Sequence, residues 1–292
     1  MKDGRVQFGL HALGIGSGAN PAVIEAVGSA ADRCGFATLW AGEHVVMVDR
    51  PDSVYPYSDD GRIAVPSDAD WLDPLAVLAF LAATTTRIRL ATGVLLLPEH
   101  NPLIVAKQAA SLDVLSQGRL VLEIGIGWSA EEFAALGVPF AGRGARTREY
   151  VEAMRSLWRD DPSSFTGEYV HFERVRCFPK PVRRTLPVVL GGNGERALER
   201  VARYGDGWYG FNLTLDEVPG RLEVLRSAAE RHGRSTVPLR TAVSVADATA
   251  SDLPRLATLG VDEVVLVDSP PPAPGDAAAW VEELARRWGV VE

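Results

Sequence analysis

The sequence predicts a (β/α)8 barrel, the α/β fold in which eight parallel strands alternate with helices. Short apolar runs and helical patterns alternate about eight times along the chain, and several runs are apolar almost throughout, as parallel strands buried on both faces are. No change of composition marks a linker, so residues 1–292 are expected to form one domain. A doubly wound open sheet is the alternative, but a strand count near eight favours the barrel.

The strands are predicted where short apolar runs end in glycine or polar residues. They are expected at residues 6–12, 38–43, 89–97, 120–127, 187–192, 207–212, 239–245 and 263–268.

Between the strands, apolar residues recur at the three- and four-residue spacing of helices that pack on a sheet. Pro21, Pro74 and Pro102 stand early in their helices, where a missing N–H does no harm. The helices are expected at residues 21–34, 74–84, 102–115, 146–159, 195–204, 215–232, 253–259 and 277–288.

Two segments exceed the usual connection of about 2–6 residues in an α/β unit. Residues 45–70 are rich in Pro, Asp, Ser and Tyr, and residues 163–182 alternate like a hairpin around Gly167. We expect these insertions at the C-terminal face of the barrel, where such segments often cover an active site.

Composition excludes several classes of protein. A net charge of −8 argues against a general nucleic-acid partner, which needs a basic face. Cys34 and Cys177 are expected to be free thiols in a reducing cytosol, and no HExxH motif or cysteine pair predicts a metal site. No apolar run approaches the roughly 18 residues of a membrane span, and the first residues lack a signal-peptide pattern. A cytoplasmic protein without a membrane partner is therefore expected.

Candidate functional residues lie at the predicted strand ends, where barrel active sites form. Three of the five histidines, His11, His44 and His100, fall there. Histidine has the ordinary pKa closest to neutral, which suits proton transfer, although each of these residues could equally be structural.

A strand, a glycine cluster and a helix follow one another at residues 187–204. Gly191, Gly192, Asn193 and Gly194 would lie before the helix N-terminus, where free N–H groups and the helix dipole favour an anion. The cluster predicts a phosphate site without identifying the phosphorylated ligand. The glycines at 14–18 match neither a nucleophile elbow nor a dinucleotide fingerprint, and a flexible loop is expected there.

Taken together, these residues resemble the luciferase-like monooxygenase family, and within it the F420-dependent oxidoreductases of actinobacterial type. The resemblance covers nearly the whole chain. Its markers are "FATLWAGEH" (36–44), a long block that includes "RLATGVLLLPEHNP" (89–102) and "GIGWSAEEFAALGVPFAGRGAR" (125–146), "GEYVHF" (167–172), and "LPVVLGGNGERALERVARYGDGW" (186–208). The long block is the most specific of them.

The resemblance implies a barrel that holds F420 or FMN at its C-terminal mouth. It implies a cis peptide bond at Gly93-Val94 behind the cofactor ring, with both residues in contact with the cofactor. Gly125 and Gly127 correspond to the exit of strand four where the cofactor tail passes. The cluster from Gly191 to Gly194 corresponds to the loop around the cofactor phosphate.

The same resemblance makes Glu43 and His44 the candidate catalytic pair, with His44 as the proton donor or acceptor. Sugar-phosphate dehydrogenases of the family carry a catalytic glutamate where this chain has Ala130. Glu131 and Glu132 follow directly but are expected to point elsewhere on a helix. Oxidation of a sugar phosphate is therefore not expected.

The function expected from the resemblance is hydride transfer between C5 of F420 and an unidentified small organic substrate. The first alternative is an FMN-dependent monooxygenase that uses reduced flavin and O₂, and the second is a non-catalytic member of the family. Tyr55, Tyr57, Trp71 and Phe178 could form an apolar substrate pocket or simply cover the barrel edge. Relatives are often dimers, so a homodimer is expected.

Overall fold

The structure, a computed structural model, describes residues 6–290. Its strands are β1 (Gln7–Leu13), β2 (Thr38–Ala41), β3 (Arg89–Thr92), β4 (Leu95–Leu96), β5 (Leu120–Gly125), β6 (Ser163–Thr166), β7 (His171–Val175), β8 (Val188–Gly191), β9 (Gly207–Leu213), β10 (Arg240–Val245) and β11 (Glu263–Val267). Its helices are α1 (Pro21–Cys34), α2 (Pro74–Thr84), α3 (Pro102–Leu115), α4 (Ala130–Ala135), α5 (Arg143–Arg159), α6 (Glu195–Tyr204), α7 (Glu217–Arg231), α8 (Leu253–Leu259) and α9 (Pro274–Trp288).

The parallel strands close into a barrel. Around the ring, β1 pairs with β2, β2 with β3, and β3 with β5, and the series continues through β8, β9, β10 and β11 back to β1. The short strand β4 extends β3 beyond Gly93-Val94 and also pairs with β5. The predicted barrel is therefore confirmed, and the open-sheet alternative is wrong because the sheet has no free edge strand.

Local chemistry accounts for the starts of the first three helices. Asn20, Asp73 and Asn101 precede the prolines that open α1, α2 and α3, and their side-chain oxygens accept backbone N–H groups of the first turn. The eight predicted helices are all present. The structure adds α4, extends α5 back to residue 143, and ends β2 at residue 41 rather than 43.

The core has two parts. The larger part lies between the strands and the surrounding helices. The smaller part fills the inside of the barrel, where the apolar residues are Trp40, Ala91, Val121, Val189, Tyr209, Ala242 and Val265. The amino-terminal end of the barrel is closed by Glu263, which is fully buried and bonds to Arg89, Arg240 and Trp40. The interior is thus filled, and the opposite, carboxyl-terminal end is left for a site.

Residues 45–70, which we call the mouth loop, lie across that carboxyl-terminal end. The loop leaves the barrel after β2, and near its middle Asn212 of β9 donates to the carbonyl oxygen of Tyr57 at 2.9 Å. At its far end, Gly16 donates to the carbonyl oxygen of Asp70 at 2.9 Å. The loop therefore reaches from β2 to β9 on the opposite side of the barrel.

The second predicted insertion contains the expected hairpin, formed by β6 and β7. It follows α5 and packs along that helix. Glu149 of α5 accepts the N–H groups of Glu168, Tyr169 and Val170 at 2.9, 2.6 and 2.7 Å. This carboxylate holds the turn of the hairpin near the N-terminal part of α5. No helix within residues 6–290 has both the length and the apolar character needed to cross a membrane.

We expect Glu149→Gln to destabilise the protein by about 1–3 kcal/mol, because one amide NH₂ would face backbone donors that have no other acceptor. Urea denaturation of the two proteins measures the difference. Glu152→Gln, one turn along α5, is the control, since the Glu152 side chain is 52% exposed and makes only a 3.8 Å ion pair. Equal losses in the two variants would contradict the assigned role of Glu149.

Candidate active site

The side chain of Val94, which lies between β3 and β4, packs against the ends of the neighbouring strands β5 and β8. The Gly93-Val94 peptide bond is cis, as the resemblance implies. A Cβ atom at Gly125 would lie 2.6 Å from a methyl group of Val94, and one at Gly191 would lie 2.8 Å from the other methyl group. Only glycine leaves this space, so Gly125 and Gly191 let Val94 pack over both neighbouring strands.

Trp40 and His11 lie behind the Gly93-Val94 peptide bond and form the floor of the carboxyl-terminal mouth of the barrel. A Cβ atom at Gly93 would lie 3.2 Å from Trp40 and 3.4 Å from His11. Burial lowers the pKa of His11 to about 4, so its imidazole is neutral at pH 7, and its Nδ1 lies 3.2 Å from the hydroxyl of Tyr209. His11 is therefore a hydrogen-bonding group of the floor.

His44 is held by Glu132, and the expectation that Glu132 points elsewhere is wrong. Nδ1 of His44 lies 2.7 Å from Oε2 of Glu132, and the two side chains are only 7% and 1% exposed. Oε1 of Glu132 accepts the N–H groups of Val45 and Val46 at 2.8 and 3.3 Å. The helical reasoning failed because α4 begins only at residue 130, and its first turn faces the loop after β2.

This contact determines the tautomer of His44. Backbone N–H groups can only donate, so Oε1 of Glu132 is an acceptor. With Glu132 as a carboxylate, Oε2 also accepts, and Nδ1 of His44 then carries the hydrogen between the two residues. In the neutral imidazole the other nitrogen, Nε2, is then left with a lone pair. His44 can accept a proton at Nε2 or, once protonated, donate one from it.

Glu43 has a different set of partners from its neighbour His44. Its carboxylate accepts the N–H of Leu96 at 2.6 Å and contacts Nε2 of His100 at 3.0 Å. Burial lowers the pKa of His100, but the hydrogen bond and charge of Glu43 outweigh it, so the pKa is raised. Glu43 thus links the end of β2 to the segment after β4, and its side chain is 2% exposed.

Glu99 is a buried carboxyl group beside this cluster. Neither of its oxygens has a hydrogen-bond partner among the described residues, and one oxygen lies 3.1 Å from the Cβ position of Gly127. Burial, together with the negative charges of Glu132 and Glu43, raises the pKa of Glu99 to about 9. The group is therefore protonated and neutral at pH 7.

Aromatic rings form the wall around His44. The ring centroids of Trp71 and Trp128 lie 4.9 and 5.8 Å from that of His44, and Tyr55 packs against Trp128 at 5.3 Å. Tyr57 continues the wall to Phe211 of β9, again at 5.3 Å.

Of the four aromatic residues singled out in the sequence, three lie at the mouth: Tyr55, Tyr57 and Trp71. Phe178 does not, because its carbonyl oxygen is bound by Lys107 of α3 on the outside of the barrel and its side chain is 50% exposed.

The glycine cluster follows β8 directly and opens α6. Asn193 uses its side-chain amide to bind the backbone of Phe211, with distances of 2.7 Å to the oxygen and 3.0 Å to the nitrogen. Its side chain therefore braces the loop against β9. Gly194 is the N-cap of α6, and a Cβ atom there would meet nothing within 4 Å. The first N–H groups of α6 lack helical acceptors and adjoin this open space.

Two arginines that the sequence reasoning did not single out lie on the helices beside this loop, Arg143 at the start of α5 and Arg200 in α6. Nε of Arg143, the first residue of α5, donates to the carbonyl oxygen of Gly127 at 3.1 Å. Burial lowers the pKa of Arg143, and the positive charges of Arg200 and Arg146 lower it further. Arg143 lies in the "GRGAR" part of the long marker block, 16 residues after Gly127, and the specificity of that block was the available signal.

A groove with a volume of about 710 Å³ lies between α5, α6 and α7, next to this arginine pair. Its charged lining consists of five arginines and three glutamates: Arg148, Arg196, Arg200, Arg203, Arg231, Glu195, Glu199 and Glu223. The surface is thus positively charged beyond the glycine cluster.

Residues 4–254 match the model of the luciferase-like monooxygenase family. The chain belongs to this family. It is 36% identical over 285 residues to an uncharacterised protein of Mycobacterium tuberculosis, covering 97% of this chain and 98% of the relative.

Two solved structures of the luciferase-like fold illustrate the chemistry found in it. An F420-dependent secondary alcohol dehydrogenase in complex with an F420-acetone adduct has a TM-score of 0.76, at 17% identity, with 99% of both chains covered. A type II Baeyer-Villiger monooxygenase from Pseudomonas putida in complex with FMN has a TM-score of 0.64, at 20% identity, with 87% of this chain and 71% of that chain covered. At these identities the likeness shows the fold alone. The fold is therefore shared by a structure that contains a deazaflavin adduct and by another that contains FMN.

The pKa of Glu99 makes the stability of the luciferase-like barrel depend on pH. An unfolded glutamate ionises near pH 4.3, whereas folded Glu99 keeps its proton up to a pKa of about 9. Between these values Glu99 binds a proton in the folded protein but not in the unfolded chain. The contribution of Glu99 to the free energy of unfolding therefore falls as pH rises from about 5 to 9. Glu99→Gln is uncharged in both states and should be more stable than the parent, by a margin that grows from pH 5 to pH 8.

Thermal unfolding at several pH values tests this expectation. Glu25→Gln, an exposed position on α1, is the control and should give the same small difference at every pH. A pH-independent difference for Glu99→Gln would refute the buried, protonated state of Glu99.

Proposed function

We propose that this protein is an F420-dependent oxidoreductase that moves a hydride between the deazaflavin and a small, uncharged organic substrate. The observation that carries the proposal is that a histidine with an oriented lone pair stands in an aromatic mouth, and a helix N-terminus with open space before it lies at the same end of the barrel. Such a surface can position a phosphorylated redox cofactor and a substrate side by side.

The residues present fit a phosphorylated ring cofactor. Gly93 and Val94 would lie against the ring, with Gly125 and Gly191 giving Val94 its place. The N-terminus of α6 at Gly194, with Arg143 and Arg200, would bind the phosphate, because backbone N–H groups and guanidinium groups both bind phosphate well. When bound, F420 supplies or accepts a hydride at C5.

The arginine groove supports F420 over FMN. Both cofactors carry a ribityl phosphate, but FMN ends there, whereas F420 continues into a tail that bears carboxylates. A groove of about 710 Å³ with more arginines than glutamates lies directly beyond the phosphate site. FMN has no group that would occupy this groove.

His44 moves the proton that accompanies the hydride. When a carbonyl carbon of the substrate receives a hydride, its oxygen must gain a proton, and Nε2 of protonated His44 would donate it. In the reverse direction Nε2 would remove the proton of the alcohol. Glu132 keeps Nδ1 protonated in both directions. Glu43 would act behind the mouth, by holding the segment after β4 in place.

The aromatic side chains around His44 indicate the class of substrate. The groups nearest to His44 are the rings of Trp71 and Trp128, followed by Tyr55. The arginines described above lie instead around the exit of strand four and α6. An apolar alcohol or ketone fits this half of the mouth better than a phosphorylated or carboxylated substrate.

Fluorescence titration with F420 and with FMN tests the proposal. We expect F420 to bind at micromolar concentrations or below, and more tightly than FMN. Binding of FMN alone, with O₂ consumed in the presence of reduced flavin, would replace the proposal by the monooxygenase alternative. Binding of neither would favour a non-catalytic member of the family, although the retained His44–Glu132 pair counts against it.

Gly194→Ala probes the phosphate site without disturbing the fold. The new Cβ would enter open space before α6, so we expect cofactor affinity to fall at least about tenfold, or 1.4 kcal/mol. Gly275→Ala is the control, because Gly275 also lies in the first turn of a helix, α9, with nothing within 4 Å of its Cβ position. Unchanged affinity in Gly194→Ala would exclude this helix start from the phosphate site. Gly192→Val is less informative, since φ is +118° and a Cβ would lie 2.9 Å from that of Ala197.

His44→Ala probes the chemistry. Loss of the proton donor should slow turnover about 10²–10⁴-fold, while the cofactor Kd changes little, and added imidazole should restore part of the rate. His171→Ala, on the exposed strand β7, serves as control for a histidine outside the site. Equal turnover in His44→Ala and the parent protein would remove His44 from the mechanism.

A further inference from the structure

Glu132 makes two kinds of contact with one carboxylate. Oε2 accepts Nδ1–H of His44, and Oε1 accepts the first N–H groups of the mouth loop, those of Val45 and Val46. The glutamate belongs to α4, 88 residues further along the chain than His44. A single buried group therefore touches both the candidate base and the segment that covers it.

Few other contacts hold Val45 and Val46, the first residues of the mouth loop. The side chains of Val45 and Val46 are 42% and 41% exposed, so apolar burial contributes little there. Glu132 itself is fixed, since it is 1% exposed and its N–H donates to Oγ of Ser129, the N-cap of α4. The position of the loop start therefore depends on the carboxylate of Glu132.

Glu131 provides a second, separate attachment of the same loop. Its Oε1 accepts the N–H groups of Asp52 and Ser53 at 2.8 and 3.0 Å, and Ser53 in turn accepts the N–H of Ala130. Adjacent glutamates thus hold two points of the mouth loop, but only Glu132 also holds His44.

The loop that Glu132 docks carries much of the aromatic wall. Tyr55 packs against Trp128 at 5.3 Å, and Tyr57 packs against Phe211. Trp71, just beyond the loop, donates its Nε1–H to the carbonyl oxygen of Gly42 and packs edge-on against His44. The docked loop and the aligned His44 side chain together form the aromatic surface of the mouth.

We propose that Glu132 is a positioning residue that couples docking of the mouth loop to the orientation of His44. With the loop docked, Val45 and Val46 hold one carboxylate oxygen and direct the other at Nδ1. With the loop released, the carboxylate loses two donors and is free to turn, and His44 loses its fixed tautomer. The histidine is then ready for proton transfer only while the mouth is covered, a device that excludes water during the reaction.

This inference rests on the proposed role of His44, but it is tested on the cofactor-free protein. The tautomer of His44 is read from the ¹⁵N signals of protein labelled at its five histidines, with the His44 signals assigned by their loss in His44→Ala. Docking of the loop is read from amide hydrogen exchange at residues 45–53.

Three variants separate the two contacts. Glu132→Gln keeps a carbonyl oxygen for the loop and turns an NH₂ group toward Nδ1, so we expect the hydrogen of neutral His44 to move to Nε2. Glu132→Ala should raise amide exchange at Val45 and Val46 more than tenfold. Glu131→Gln, the matched control, should raise exchange at Asp52 and Ser53 and leave the tautomer of His44 as in the parent.

The coupling is overturned if Glu132→Gln leaves the hydrogen on Nδ1, or if Glu132→Ala leaves exchange at Val45 and Val46 unchanged. It is also overturned if Glu131→Gln alters His44 as strongly as Glu132→Gln does, because the two glutamates would then only stabilise the mouth loop, and Glu132 would have no specific effect on His44. Should Glu132→Ala not fold, the tautomer in Glu132→Gln still decides. A failed cofactor titration, in contrast, overturns the proposed function and leaves these readouts intact.

Discussion

The mouth of this barrel depends on one close approach, that of Val94 to the backbones of its two neighbouring strands. The methyl groups of Val94 occupy the space that side chains at Gly125 and Gly191 would fill. Interiors are close-packed, so a Cβ at either glycine would displace the valine and the backbone that carries it. The hydroxyl of Thr92 adds a second constraint, because it binds both the N–H and the carbonyl oxygen of Glu123 on β5. The Gly93-Val94 segment is therefore held by the strands beside it.

The barrel holds several buried carboxyl groups, and the partners of these groups differ. Glu263 is compensated by two arginines at the closed end of the barrel. Glu43 and Glu132 are compensated by backbone donors and histidines. Glu99 and Glu123 lack partners among the described residues, and burial raises the pKa of both. Because an unpaired buried charge is very costly, burial favours the protonated form of the two carboxyl groups that lack partners.

Local sequence signals predicted most of the fold. Proline and helical periodicity marked the starts of α1, α2 and α3, and apolar runs marked the barrel strands. The strand-glycine-helix order at 187–204 predicted the open helix N-terminus at Gly194. The side-chain amide of Asn193 binds the backbone of Phe211 on β9. That pairing joins two strand ends and has no local signature.

The residues that reasoning from the sequence missed make long-range contacts. Glu132 lies in the first turn of the short helix α4, and its partners lie just after β2. Helical spacing alone therefore predicted the wrong direction for its side chain. Arg143 and Arg200 are charged residues on helices, and such positions are usually solvated. The charge of Arg200 on α6 acts on Arg143 of α5 only because these two helices are neighbours around the barrel.

The sequence by itself determined that the chain forms a barrel, where most strands and helices lie, and which rim residues deserved attention, because these follow from local periodicity, capping and glycine placement. Only the tertiary structure decided which rim residues meet. It placed Glu132 on His44, Glu43 on His100 and Arg143 on the carbonyl oxygen of Gly127, because barrel closure brings strand ends far apart in the chain to the same end of the molecule.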